Sequence, residues 1–442
     1  MTSPSSPQTR KVLPSAYRWE LLVILFLAYF FHQSDRAIYG VVAKSIQDEF
    51  NISTELLLRT RTYMFTIMAL IVPLAGFVGD KFNKRKLLIS CLFCWSVATI
   101  CTGCVSGVWG MIIFNSVGVS VAEAFYGPAA TSLIASYHKE TRSIALSVHQ
   151  TAVYLSVIFI GAVGGWISER LDWRHAFWIL GGVSIAVGVL LIFRLKDPAK
   201  YQIEGDSETE TTSKTSEKVN VVDFLKMIFA NPSALLLTVG FTAIVFVNNA
   251  FLNIVSLFLQ GKFDLKPTAA GWNGMFWHHI AAFAFIYVGG FLSDKASKRY
   301  PSFRPKQQFI AMALGVPIVF MIGRASSLAA VYALFFAMGV CRGFYECNTH
   351  ASVFETIPTK YRSTTVGFMI MFAFIIGAWS AQIVGALVDK YGVDRGYELG
   401  FAMLSGAWVV GAICVGVAAF FTFDKDRAKR IAAEEEPPRL SV

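Results

Sequence analysis

The side chains best placed to do chemistry are ionisable groups that interrupt long apolar runs. Asp35-Arg36 falls within the run 21–43, Glu123 within 109–134, and Arg342 with Glu346 within 328–352. A charge at the centre of a bilayer-crossing helix costs about 2.5–3.5 kcal/mol on insertion scales, so such groups tend to be paired and to work. A carboxyl group stripped of water favours its neutral form and can take up and release a proton. Asp35 and Glu123 are suited to that task; the alternative is that each pairs with a basic neighbour and only holds helices together. Adjacent helix residues point about 100° apart, so Asp35 and Arg36 cannot share a face. One would reach a cavity while the other faces the fourth segment. A guanidinium grips a carboxylate or phosphate through two parallel bonds, which makes Arg36 a candidate anion ligand or a member of an internal ion pair. Arg342 and Glu346, four apart, share a face and can neutralise each other. Alternatively, Arg36 and Arg342 face one another and clamp an anion. Tyr39, Tyr126, Tyr154, Asn248, Asn249, Asn253, Tyr345 and Asn348 also fall in mid-segment. Their hydroxyls and amides suit a polyol or sugar acid, or simply join helix to helix. His32, His149, His350 and the His278-His279 pair read as structural.

These groups need a scaffold, and the hydropathy supplies one. The 442 residues are 55% hydrophobic and only 15% charged, with a mean hydropathy of +0.54. Soluble domains carry about 25% charged residues, so a soluble enzyme and a disordered chain are both excluded. Apolar runs of about 20 residues span a bilayer, and twelve are present: 21–43, 62–80, 87–105, 109–134, 144–168, 174–194, 232–260, 270–293, 307–324, 328–352, 363–388 and 397–423. They are too continuous for barrel strands. The first is too long, and too charged at Asp35-Arg36, for a cleaved signal peptide. The formal charge of +10 points to no nucleic acid, because the Lys and Arg gather in alternate loops, as in Lys81/Lys84/Arg85/Lys86 and Lys295/Lys298/Arg299. That bias places both termini in the cytoplasm of a multi-pass protein, with a bacterial inner (plasma) membrane as the expected location. Arg36 and Arg342 are the two basic residues this reading puts inside helices.

The segments divide six and six. The expected organisation is a cytoplasmic tail 1–20, a six-helix bundle 21–194, a cytoplasmic linker 195–231, a second bundle 232–423 and a tail 424–442. The linker carries the polar run 204–213 and the stretch Val221–Phe229, which suits either an interfacial helix or core packing. The halves echo one another. Gly76-Phe77-Val78-Gly79-Asp80-Lys81 matches Gly290-Phe291-Leu292-Ser293-Asp294-Lys295, and Phe125-Tyr126 with Arg142-Ser143 matches Phe344-Tyr345 with Arg362-Ser363. Repeated six-helix halves are typical of secondary transporters, which bind small molecules between the halves near the midplane.

The stretch Gly76 to Lys86 resembles the signature loop between helices two and three of the major facilitator superfamily. Asn83 stands where the usual pattern has Gly, a departure shared with the Spinster-like branch. Ser34-Asp35-Arg36 and Ala122-Glu123-Ala124-Phe125-Tyr126-Gly127-Pro128 are similar to the anion:cation symporters and Spinster-like carriers, and the resemblance spans residues 20 to 423. It implies an all-α membrane protein with twelve transmembrane helices in two pseudo-symmetric six-helix bundles. It also implies proton coupling at Asp35 and Glu123, substrate-carboxylate binding at Arg36, and a gate built from Gly76, Gly79, Asp80, Lys81 and Arg85, with Asp294 in the repeated copy. Physically, Gly76 and Gly79 allow close backbone approach, and Asp80 can meet a facing helix N-terminus. The basic residues after it suit anionic headgroups or serve only as a topological anchor. The expected function is alternating-access transport, by proton-coupled symport of an organic anion such as a sugar acid, with export of lysolipid or another amphiphile as the alternative. A membrane-bound nutrient sensor would belong to a different class, and the short tails disfavour it. The expected partners are a small anionic substrate, protons and the lipid bilayer, with the protein a monomer.

Catalytic motifs do not appear. Cys91, Cys94, Cys101 and Cys104 mimic two C-x-x-C pairs, but ten helical residues set the pairs about 15 Å apart, too far to share one metal. Cys341, Cys347 and Cys414 lie in apolar segments too, so neither a metal site nor a disulfide framework is expected. A P-loop, a dinucleotide fingerprint and a G-x-S-x-G elbow are missing. The reading is of a protein with no cofactor and no enzymatic activity.

Overall fold

The structure, a computed structural model, describes residues 11–138, 141–198, 200–204 and 220–435, apart from the side chains of 73–74, 76–81, 143, 202, 221, 433 and 435. Twelve long helices follow in order: α1 Tyr17–Phe50, α2 Thr54–Lys81, α3 Lys84–Thr102, α4 Val108–Tyr137, α5 Arg142–Arg170, α6 Trp173–Arg194, α7 Pro232–Phe263, α8 Pro267–Ser297, α9 Phe303–Ile322, α10 Leu328–Phe354, α11 Thr359–Tyr391 and α12 Val393–Ala432. Local chemistry sets their ends. Asn51, at φ 48°, turns the chain out of α1, and Asn83 and Asp172 accept from the first free N–H groups of α3 and α6. Pro232 and Pro267 open α7 and α8, where a missing N–H does no harm.

Eleven of these helices are long and apolar enough to cross a membrane, counted among the described residues. The first turns of α2 carry Glu55, Arg59 and Arg61 ahead of its apolar run. This helix starts eight residues before the predicted segment, and that difference matters for the site. The lipid-facing surface is apolar, with Phe193, Phe291 and Phe421 exposed. Two short parallel strands, β1 (Lys11–Leu13) and β2 (Tyr201–Ile203), were not anticipated; they pair the chain start with the segment after α6. Most of the polar run, residues 205–213, lies outside the described residues. The helix at Val221–Phe229 packs Phe224 against Tyr361 and Phe368 of α11, while Val222, Leu225 and Phe229 stay exposed.

The first six helices pack among themselves, as do the last six, and α5–α8, α2–α11 and α1–α7 join the two sets. That junction is uneven. The main hydrophobic core runs from α1, with Tyr39, Val41 and Val42, directly into α7, with Phe251, Ile254 and Val255. A second core belongs to the first six helices alone and lies toward the chain ends, around Tyr17, Leu21, Leu88 and Tyr137. Close backbone approach explains the shared core. A Cβ on Gly40 would stand 2.3 Å from the carbonyl oxygen of Leu252, and one on Gly161 2.5 Å from that of Gly271. The halves are therefore closed on the face opposite the chain ends.

Candidate functional site: charged clusters between the halves

The first cluster is assembled by α1 and α4. Glu123 is sealed from solvent, with Oε1 3.7 Å from His32 Nε2 and Oε2 3.7 Å from Arg36 Nε. These separations exceed hydrogen-bond length. Among the described residues neither Glu123 oxygen finds a donor, and Arg36 Nε finds no acceptor. The Arg36 guanidinium lies beside two adjacent rings, 5.4 Å from Phe65 of α2 and 5.7 Å from Phe374 of α11, whose centroids are 5.9 Å apart, and its side chain keeps 17% exposure. Charge and ring faces hold it, without a fixed hydrogen-bond frame. Around Glu123 the walls are aromatic: His32 stacks on Tyr29 and Tyr126 and meets Trp95 edge-on.

Asp35 takes the other side of α1. Its Oδ2 accepts from Thr99 Oγ1 of α3 at 2.6 Å, and its buried Oδ1 has no donor among the described residues. The sequence left open which of Asp35 and Arg36 faces the fourth helix. Arg36 does, and Asp35 faces the third.

Arg61 is the group the sequence reading missed. Hydropathy began the second segment at residue 62 and left Arg61 in a loop; in the structure it is inside α2 at 0% exposure. Its Nε donates to Asn253 Oδ1 of α7 at 3.0 Å, one terminal nitrogen to Asn115 Oδ1 of α4 at 3.0 Å, and the other to the carbonyl of Arg36 at 2.9 Å. Tyr39 lies 4.9 Å beneath it. Asn115 sits in a widened π-helical stretch of α4, Ile112–Val119, which also brings Ser116 Oγ within 2.7 Å of the Thr60 carbonyl. Such insertions often mark functional positions. The detectable signal was the polar string of α2, since Thr54, Thr60, Arg61 and Thr62 are all buried.

The second cluster is on α10. Arg342 Nε and Glu346 Oε1 are 2.8 Å apart, as their spacing allowed, and a terminal nitrogen of Arg342 lies 3.2 Å from His278 Nε2. Tyr154 of α5 crosses between the halves and donates to Glu346 Oε2 at 2.7 Å. No hydrogen bond, ion pair or ring contact among the described residues joins this cluster to Arg36. The structure brings Arg342, Glu346 and Tyr154 together, and places Arg36 with Glu123.

The remaining candidates separate by burial. Tyr39, Tyr126 and Tyr345 are fully packed rather than set in an accessible wall; Tyr39 contacts Thr60 and the Leu57 carbonyl, and Tyr126 donates to Leu25. Asn248 is half-buried, and Asn249 is buried with its amide nitrogen unpaired among the described residues. Asn348 instead accepts from Ser293 and Arg304. The side chains of Gly76, Gly79, Asp80 and Lys81 lie outside the described residues. Arg85 donates to the carbonyls of Ile192 and Leu195 and so closes the end of α6. Asp294 pairs with Arg304 at 2.7 Å within its own half, and Arg304 extends the pairing to Glu355 at 3.0 Å.

Residues 25–381 match the family model of the Major Facilitator Superfamily. The chain belongs to this superfamily. Among curated relatives, protein spinster homolog 1 of Xenopus laevis is 25% identical, with 92% of this chain aligned to 82% of that protein. The uncharacterized transporter YybO of Bacillus subtilis is 23% identical over 96% of this chain and 98% of its own. Among solved structures, a bacterial homolog of the human lysosomal transporter Spinster, in an inward-facing unoccupied conformation, aligns with a TM-score of 0.72 at 20% identity, covering 96% of this chain and 99% of that one. The nucleoside transporter NupG aligns at 0.69 with 12% identity, covering 91% and 99%. This major facilitator chain is thus a multi-pass membrane transporter of a small molecule, not an enzyme, and it resembles the Spinster-like branch.

Proposed function

We propose that this transporter works by alternating access as a proton-coupled symporter of an organic anion such as a sugar acid. The observation that carries the proposal is the loose pairing of Arg36 with Glu123: a partly accessible guanidinium beside a sealed carboxylate at 3.7 Å, with no hydrogen bond between them. An ionised Glu123 neutralises Arg36. A proton on Glu123 removes that competitor, and a substrate carboxylate can take its place with the bidentate geometry that a guanidinium favours. Proton and anion then travel together. Asp35, sealed one residue away, is the second coupling carboxyl. Arg61 is a strut that ties the backbone at Arg36 to Asn253 in the other half. Residues 21–194 rock against 232–423, with both termini cytoplasmic and the basic loops on the inner face of the plasma membrane, and the unit is a monomer.

The test is uptake of labelled gluconate into proteoliposomes carrying the purified protein, with the outside acidic. Accumulation that collapses with a protonophore supports symport; no accumulation of gluconate or other sugar acids rejects it. Arg36→Lys replaces a fork by a point charge and is expected to weaken gluconate binding by about tenfold or more, the scale of one lost charge-assisted bond; binding by calorimetry checks this. Tyr154→Phe removes one bond between the halves and is expected to change the uptake rate by less than about tenfold, visible in initial rates.

The paired rings of Phe65 and Phe374 beside Arg36 favour a second reading. Aromatic faces beside a cation suit an amphiphile with an anionic head. Binding of lysophosphatidylglycerol in preference to gluconate selects it.

A further inference from the structure

Two contacts on the face opposite the chain ends are built alike. The first N–H groups of a helix have no partner inside it. At the start of α2, Asp389 of α11 supplies one: Thr54 N–H donates to Oδ1 at 2.9 Å and Glu55 N–H to Oδ2 at 2.7 Å. At the start of α8, Glu169 of α5 does the same, its Oε2 accepting from Thr268 N–H at 3.3 Å and from Thr268 Oγ1 at 2.5 Å. Each carboxylate belongs to one half and each helix start to the other, and the two contacts run in opposite directions.

The backbone approach is repeated as well. Gly385 lies four residues before Asp389, and a Cβ there would stand 3.0 Å from backbone atoms of Thr54 and Glu55. Gly165 lies four residues before Glu169, and its Cβ would stand 2.6 Å from the Pro267 carbonyl oxygen and 2.9 Å from Thr268 Cα. The internal repeat relates every member. Thr268 follows Thr54 by the same 214 positions that separate Gly76 from Gly290. Gly385 and Asp389 follow Gly165 and Glu169 by the same 220 that separate Arg142 from Arg362.

We infer that Gly165/Glu169 and Gly385/Asp389 are twin latches that hold the two halves closed on the face opposite the chain ends. A carboxylate is favoured at the positive end of a helix, and its bonds to N–H groups are charge-assisted. The glycines bring the helices close enough for those bonds to form only while this face is shut. The latches therefore stabilise one access state and not the other, which is the requirement for shifting an equilibrium between them. The inference rests on the alternating-access part of the proposed function and is independent of which substrate is carried.

The test uses p-acetylphenylalanine at the exposed positions Ser106 and Ser326, one in each half on this face, coupled to a nitroxide for pulsed distance measurement. Asp389→Asn and Glu169→Gln keep side-chain size and remove the charge. Each is expected to enlarge the long-distance population about three- to tenfold, and the double variant by about the product of the two factors. Glu398→Gln serves as control, since Glu398 pairs with Arg324 and Arg395 inside one half; it is expected to leave the distribution unchanged. An unchanged distribution in the double variant overturns the latch, as does an equal shift in the control. A shift as expected in a protein that binds no organic anion would leave the latch standing and reject the substrate reading alone.

Discussion

Glu123→Gln abolishes uphill accumulation of the anion while exchange of labelled for unlabelled anion across the same membrane persists. The amide copies the shape of a protonated carboxyl, so packing against His32 and the surrounding rings is kept. What is lost is the ability to alternate between competing with the anion for Arg36 and releasing it. In the unsubstituted protein, protonation of Glu123 takes a negative charge away from a point 3.7 Å from Arg36. Anion affinity is therefore expected to rise as pH falls, by a factor of about 5 to 150 at ordinary coupling energies. In the Gln variant that rise disappears and affinity stays at its low-pH level. Asp35→Asn is also expected to stop uphill uptake, but with a different signature. Asp35 bonds to Thr99 and does not contact Arg36, so the pH dependence of affinity survives in large part. Uptake and equilibrium binding measured between pH 5.5 and 8 separate the two. Undiminished gradient-driven uptake in both variants would remove the coupling assignment.

The fold was legible because bilayer-crossing helices are specified by composition over long windows, and that signal tolerates local exceptions. The start of α2 shows where the rule strains: Glu55, Arg59 and Arg61 depress the hydropathy of its first turns, yet Arg61 is as buried as any leucine in the core. A hydropathy window cannot tell a charge facing water from a charge whose hydrogen bonds are all met inside the protein. The i, i+4 pairing of Arg342 with Glu346 was readable because helix geometry fixes it. The direction of Asp35 was not, because a 100° step allows two assignments and only the neighbouring helices choose between them. Tyr39, Tyr126 and Tyr345 illustrate the same limit from the apolar side. A tyrosine in mid-segment is equally suited to lining a cavity or bonding to the next helix, and here all three are packed away. The twin carboxylates Glu169 and Asp389 sat in the sequence at matching offsets. Nothing marked them, however, until the helix starts they cap were placed beside them.

Arg61→Met is expected to lower both stability and transport more than any other single change in the second helix. Three oxygens accept from this guanidinium; methionine leaves the two buried amide oxygens, of Asn253 and Asn115, unpaired, while the Arg36 carbonyl keeps its bond within α1. Each abandoned buried acceptor costs about 1–3 kcal/mol, so the loss is on the order of 2 kcal/mol or more even if the site relaxes. Thermal unfolding in detergent reads this as a clear fall in midpoint. Transport carries a separate signature, because one of the three bonds, to Asn253, joins the halves and must break when the closed face opens. Asn253→Ala removes that bond, together with a bond from Asn253 Nδ2 to the Asn249 carbonyl inside α7. Its effect on the balance of access states should be largely absent when Arg61 is already Met, since residues sharing one bond are not additive. Arg61→Lys retains the charge but not the fork, and cannot reach three acceptors on α1, α4 and α7 at once. It should recover part of the stability and little of the uptake. An Arg61→Met protein with unchanged midpoint and wild-type uptake would show that the guanidinium is only a filler of space. Purely additive effects of Arg61→Met and Asn253→Ala would deny the strut its role between the halves.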